Sequence, residues 1–201
     1  MLSWDALDRF PLKPAGAVTA AFLGLAKADL RAAAECVCKL PYGRNSDPND
    51  PLIVLAEERG TCSTKHALLR RLAVEQGLDL ALVLGIYEMT DSNTPGVGPV
   101  LRRHGLDSLL EAHCYLRTAG RRIDVTKAPC GRRSGEPLRF LHEEEIDPKQ
   151  ITDYKTSVHK KFLQGWMADN RALSRFSLDE IWAIREECIA SLAKPSQEQS
   201  A

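Results

Sequence analysis

The sequence has no excess of either charge: 27 basic side chains balance 27 acidic ones over 201 residues, for a formal net charge of zero. Without a basic surplus, bulk electrostatics give no reason to expect nucleic acid or a membrane surface as partner. Long apolar runs are missing too. The most apolar N-terminal stretch, residues 15–25, is closed off by Lys27 and Asp29 well short of a bilayer span, and no basic segment precedes it. Neither a transmembrane helix nor a secretory signal is therefore expected, and the chain reads as cytoplasmic. Six cysteines, at 36, 38, 62, 114, 130 and 188, lack the spacing of a disulfide scaffold, which points to reduced thiols. No repeat and no linker divides the chain, and 44% hydrophobic content suits one compact domain spanning residues 1–201.

What is present is a succession of helix and strand signals. Residues 1–14 form an irregular lead-in punctuated by Pro11 and Pro14. From Val18 to about Lys39 the Ala-rich sequence favours a helix, with Ala20, Leu23, Leu25, Leu30, Ala33, Val37 and Leu40 facing inward. Cys36 and Cys38, two positions apart on a helix, point to different sides and read as structural rather than as a metal pair. A turn-rich connection from Pro41 to Pro51 leads to a short helical run over residues 52–57. Residues 78–89 form a strand, central in its sheet because Leu80 to Leu84 is continuously apolar. The loop over residues 90–99 lines a groove or makes a surface excursion, and residues 100–110 hold a short helix or turn. A further loop at 129–137 carries Arg132 and Arg133, which read as solvated side chains. His142-Glu143-Glu144-Glu145 lacks the second histidine that a zinc-protease motif requires. Two helices follow: one over residues 154–167, the other opened by the capping-box chemistry of Ser177 and Glu180 and closed by Lys194-Pro195, with a polar tail at 196–201.

The chemistry concentrates around Arg59-Gly60-Thr61-Cys62-Ser63-Thr64-Lys65-His66. Gly60 permits a sharp turn, Thr61 is an N-cap, and an apolar stripe from Leu68 to Val74 ends at Gly77. Cys62 therefore opens a helix, where the positive end of the dipole favours a thiolate. His66, at i+4, shares its face. Downstream, residues 111–126 read as a β-hairpin about Ala119-Gly120. With a two-residue turn, Leu116 faces Ile123, Cys114 faces Val125, Tyr115 faces Asp124 and His113 faces Thr126. Cys114, Leu116, Ile123 and Val125 then share an apolar face, while His113, Tyr115, Arg117, Arg122, Asp124 and Thr126 share the other. Burial alone selects this register, and it brings His113 and Asp124 within reach as diagonal neighbours.

A cysteine at a helix start, followed in sequence by a histidine and an aspartate on successive strands, resembles the transglutaminase-like family of the papain-fold superfamily. The likeness runs from Gly60 to Thr126. It implies an α+β fold with a papain-like core: the Cys62 helix packed on a small antiparallel sheet, with extra N- and C-terminal helices. It further implies a Cys62-His113-Asp124 triad that needs no metal and no cofactor and acts on a peptide or protein. Tyr42 or Asn45, upstream of the nucleophile, would help the Cys62 N–H build an oxyanion hole, with Thr61, His66 and Tyr115 bordering the substrate. Two functions fit: an acyl-transfer enzyme that hydrolyses or deamidates a peptide-like amide, or a catalytically silent relative that binds peptides. Zinc held by Cys62 and His66 lacks a second ligand pair.

Overall fold

The computed structural model describes residues 1, 3–126 and 139–192. Their architecture is α+β. Among these residues lie seven α-helices, α1 (Ala17–Gly24), α2 (Leu30–Lys39), α3 (Ile53–Ala56), α4 (Cys62–Glu75), α5 (Gly98–Arg103), α6 (Asp153–Asp169) and α7 (Leu178–Leu192). The strands β1 (Ala81–Met89), β2 (Leu109–Thr118), β3 (Arg121–Ile123) and β4 (Phe140–Glu145) form one antiparallel sheet in the order β3-β2-β1-β4.

Helix α4 anchors this arrangement. Ala67, Leu68, Leu69, Leu72 and Ala73 are fully buried, with β1, β2, α1 and α2 packed around the helix; complete burial of each leucine contributes about 1.5–3 kcal/mol. Its first turn is buried as well, although Ser63, Thr64, Lys65 and His66 are polar. Polar groups are tolerated there only if each finds a partner, and each does. Ser63 Oγ donates to Cys114 Sγ at 3.6 Å, and Thr64 Oγ1 donates to Asn45 Oδ1 at 2.8 Å. Lys65 Nζ donates to the carbonyls of Leu40 and Thr126 at 2.6 and 2.8 Å. His66 bridges the Cys62 carbonyl and the Val125 N–H at 2.7 and 2.9 Å. Lys65 and His66 thus tie the start of α4 to the segment that follows β3.

The hairpin has the expected register, pairing Leu116 with Ile123, Arg117 with Arg122 and Thr118 with Arg121. Ala119 and Gly120 both have positive φ, 46° and 73°, the conformation that matches a two-residue turn to strand twist. The ladder stops at Ile123, three residues short of the expected pairing of His113 with Thr126. The Val125 N–H, available for further pairing, goes to His66. The strand predicted over 78–89 is β1, an inner strand with β2 and β4 on either side.

Three expectations need correction. The single helix over residues 18–39 is two helices, because Ala26 turns the chain at φ 55° and Asp29 starts α2 afresh by accepting from the Ala32 N–H at 2.8 Å. The fourth strand, β4, went unread because its sequence is mostly His and Glu; charge on an edge strand discourages pairing with other chains while leaving its one inner ladder intact. Thiols are not uniformly reduced: Cys36, Cys62, Cys114 and Cys188 are free, but Cys38 is disulfide-bonded. Cys38 is the inward member of its pair, fully buried, whereas Cys36 is partly exposed. The loop at 129–137 and everything after residue 192 lie outside the described residues. No helix among the described residues is long and apolar enough to cross a membrane.

Helix α7 is fastened to the sheet by charge. Glu111 of β2 is buried and accepts from Arg185 Nε and Nη2 at 2.7 and 2.5 Å, while Arg185 Nη1 also reaches Glu186 at 2.7 Å. Burial opposes Glu111 ionisation, but Arg185 and the nearby His159 hold its pKa at about 2. Since the folded value lies below the ordinary 4.5, this contribution to stability is present above that pH and is lost as pH falls toward 2. Glu111→Gln leaves Arg185 buried without its main counterion and is expected to lower unfolding free energy by about 3–5 kcal/mol at neutral pH, read from chemical denaturation. A much smaller loss would show that water reaches the pair.

Candidate active site

Cys62 occupies the first position of α4. Thr61 is the N-cap, closing a reciprocal capping box with Thr64: the Thr61 N–H donates to Thr64 Oγ1 at 3.0 Å and the Thr64 N–H returns to Thr61 Oγ1 at 3.4 Å. A cap of this kind fixes the direction in which the chain enters the helix and hence where the Cys62 side chain stands. Cys62 is 8% exposed.

His113, on β2, stands between the other two members of the expected triad in their electrostatic interactions. Its Nε2 lies 2.9 Å from Asp124 Oδ2, and the ring interacts electrostatically with the Cys62 sulfur. Asp124 stands just past the end of β3. Its Oδ1 accepts from the Thr126 N–H and hydroxyl at 2.8 and 2.5 Å, with His66 Nε2 at 3.6 Å. Burial disfavours the Asp124 anion, but His113 and these donors hold its pKa far below the usual carboxylate range.

These charges reinforce one another. Burial resists ionisation of Cys62, yet Lys155 and His113 together lower its pKa from 9.0 to about 6. Burial likewise works against a charged His113, and Asp124 and the Cys62 thiolate overcome it, raising the imidazole well above its ordinary value. The resting pair is thiolate and imidazolium. His66 is different: burial pushes it down to about 4, so it is neutral. Because its Nε2 accepts from Val125, its proton sits on Nδ1 and is donated to the Cys62 carbonyl.

A cavity of about 310 Å³ opens on Cys62 between the start of α4, α6 and α7. Tyr42, Asn45, Thr61 and Cys62 line it; His66, His113, Tyr115 and Asp124 do not. The cysteine is thus approached from one side and served by His113 from another. Burial, with the Cys62 and Glu111 charges, drives the Tyr42 hydroxyl well above the usual phenol range, keeping it an O–H donor. Asn45 has no amide hydrogen to offer, since Nδ2 donates to Glu57 and to the Arg59 carbonyl at 3.2 and 2.9 Å; it shapes the turn before α4. Tyr115 stacks on Phe140 at 5.2 Å and donates its hydroxyl to Glu143, which makes it part of the sheet's packing. The 90–99 loop folds on itself, Asp91 accepting from the Gly96 and Gly98 N–H groups at 3.1 and 2.9 Å, and takes no part in this cavity.

Sequence reading missed Lys155. On the first turn of α6, its Nζ lies 2.8 Å from Ser63 Oγ and 3.9 Å from Cys62 Sγ. No motif marks it; a lysine in a helix dominated by surface polar residues reads as solvated, and only α6 docking on β2 shows otherwise.

Comparison of the chain with protein families, with curated proteins and with solved structures gave no match.

If Asp124 is what keeps His113 protonated beside Cys62, Asp124→Asn lowers the histidine pKa and raises that of the thiol. Alkylation of Cys62 by iodoacetamide is expected to reach half its limiting rate near pH 6 in the native protein, and at least one unit higher in the variant. Coincident profiles would show that the carboxylate does not set the state of the pair.

Proposed function

We propose that the protein is a cysteine-dependent acyl-transfer enzyme of transglutaminase-like type on a papain-like core, which most readily hydrolyses or deamidates a peptide-like amide. The observation that carries this reading is the line Cys62–His113–Asp124, in which one imidazole bonds the carboxylate at 2.9 Å and interacts electrostatically with the Cys62 sulfur. A buried, inert cysteine needs no imidazolium beside it, and a helix start with a lowered thiol pKa is the setting of a nucleophile.

The steps follow from the charges. The Cys62 thiolate attacks the amide carbon and the carbonyl electron pair moves to oxygen. The Cys62 N–H at the helix start and the Tyr42 hydroxyl, both from residues that line the cavity, are the donors we assign to that oxyanion. Collapse breaks the C–N bond as His113 gives its proton to the departing nitrogen, leaving a thioester and a neutral imidazole. His113 then takes a proton from water, whose oxygen attacks the thioester, and collapse of this second intermediate breaks the C–S bond, releasing the acid and returning the Cys62 thiolate beside the imidazolium. Asp124 holds the imidazole in the orientation both transfers use. Water is favoured over an amine as acceptor because the described cavity wall presents no acidic side chain free to hold one: Glu111 pairs with Arg185, and Glu186 with Arg44 and Arg185.

The test is residue-resolved alkylation across pH 4–9 followed by turnover of a peptide-amide library. Native Cys62 is expected to label fast near pH 6 and to lose that advantage in His113→Ala, with turnover falling by at least 10²-fold in His113→Ala and absent in Cys62→Ala. Labelling of Cys62 like an ordinary thiol whatever occupies position 113 would end the catalytic reading in favour of a silent binding protein.

A further inference from the structure

On the cavity side of the nucleophile stands a cation that the triad does not account for. Lys155 is 9% exposed and lines the cavity beside Cys62. An ammonium carries three N–H donors, and two of them have acceptors: Ser63 Oγ at 2.8 Å and Cys62 Sγ at 3.9 Å. Among the described residues no carboxylate lies within ion-pair distance of Nζ; the pairs formed by the neighbouring acids are Glu111 with Arg185 and Glu186 with Arg44 and Arg185. The groups facing Lys155 are Cys62, Cys114 and Glu111, with Arg185 opposing them. Burying a lysine this way is costly unless something anionic answers it, and the nearest such group is the thiolate itself.

That thiolate charge is transient. When sulfur attacks a carbonyl, the negative charge leaves sulfur for an oxygen bonded to the same carbon. An oxyanion-stabilising donor sits about 3 Å from that oxygen, and an Nζ standing 3.9 Å from Sγ on the cavity side is within reach of it without moving far. Ser63 Oγ holds the ammonium in place and is itself fixed by its bond to Cys114.

We infer that Lys155 is a catalytic residue of the acyl transfer, handing its hydrogen bond from the Cys62 thiolate to the carbonyl oxygen as the tetrahedral intermediate forms. The inference rests on the acyl-transfer reading of Cys62. Lys155 keeps its three protons throughout: the S–C bond forms, the C=O π pair becomes the oxyanion, and collapse expels the leaving group. The role supplements the Cys62 N–H and Tyr42, and places the scissile carbonyl between α4 and α6, with the acyl chain running into the cavity toward α7.

Two reactions of the same sulfur separate this role from packing. Alkylation by iodoacetamide is a displacement at saturated carbon and generates no oxyanion; acetylation by p-nitrophenyl acetate passes through one. Both are measured for Cys62 in the native protein, Lys155→Met, Lys155→Gln and Lys155→Arg, on the high-pH plateau of each protein's alkylation profile, where the thiolate is fully formed. Lys155→Met and Lys155→Gln are expected to alkylate within about threefold of native and to acetylate about 10²-fold more slowly, while Lys155→Arg recovers most of the acetylation rate. Unchanged acetylation in Lys155→Met, or equal losses in both reactions, overturns the role and leaves the triad standing. A native Cys62 that alkylates readily but is never acetylated overturns the acyl-transfer reading and this inference together.

Discussion

Asp124 is half-buried, and the local structure around Cys62 is arranged to keep its carboxylate ionised. Its carboxylate accepts from the Thr126 N–H and hydroxyl and from His113. It lies beyond the end of β3, so the sheet ladder does not hold it. What holds it is α4: Lys65 grips the Thr126 carbonyl and His66 takes the Val125 N–H. The helix that presents Cys62 therefore also positions the acid two places along the triad. The separation of nucleophile and carboxylate is set by side chains on adjacent residues of one helix rather than by a loop, and a site held in this way tolerates little drift.

The second feature is the order of charge. From Asp124 through His113 and Cys62 to Lys155, buried groups alternate negative, positive, negative, positive; Glu111 and Arg185 form a further pair beside them. Each charge alone would be expensive away from water, and each is made tolerable by its neighbour. The alternation also explains why a cysteine that is only 8% exposed has a lowered pKa when burial by itself raises it. Cys114 makes the comparison within the same molecule: also buried and also near Lys155, its pKa is raised by burial and by the Cys62 charge, which outweigh the two cations.

Much of the triad was legible because local rules define it. The register of the hairpin follows from apolar alternation about Ala119-Gly120, and it brought His113 to Asp124 with no structure in hand. Thr61 before Cys62 announced a capped helix start, and Ser177 with Glu180 announced another. What could not be read is what long-range docking creates. Lys155 is 92 residues from Ser63, and Arg185 is 74 from Glu111; neither pair follows a period or a motif. The break at Ala26 was hidden because an ordinary alanine adopts the left-handed turn there, and β4 was hidden because its ladder runs through a charged sequence. Asn45 was assigned to the oxyanion hole and Tyr115 to the substrate border, but their hydrogen bonds are committed elsewhere.

The two cations beside Cys62 are not redundant, because they differ in what happens to their protons. On the proposed acyl-transfer reading, His113 carries a transferable proton and becomes neutral once the leaving nitrogen has taken it. Lys155, with its pKa raised by the surrounding anions, stays charged. In the thioester the sulfur no longer carries a negative charge, so the ammonium loses its closest counterion while Asp124 faces a neutral histidine. That state is less favourable than the resting one, and attack by water relieves it: the oxyanion returns an anion to the neighbourhood of Lys155 as His113 regains its proton. On that reading, the same arrangement that stabilises the free thiolate disfavours a long-lived acyl-enzyme, whichever nucleophile completes the turnover.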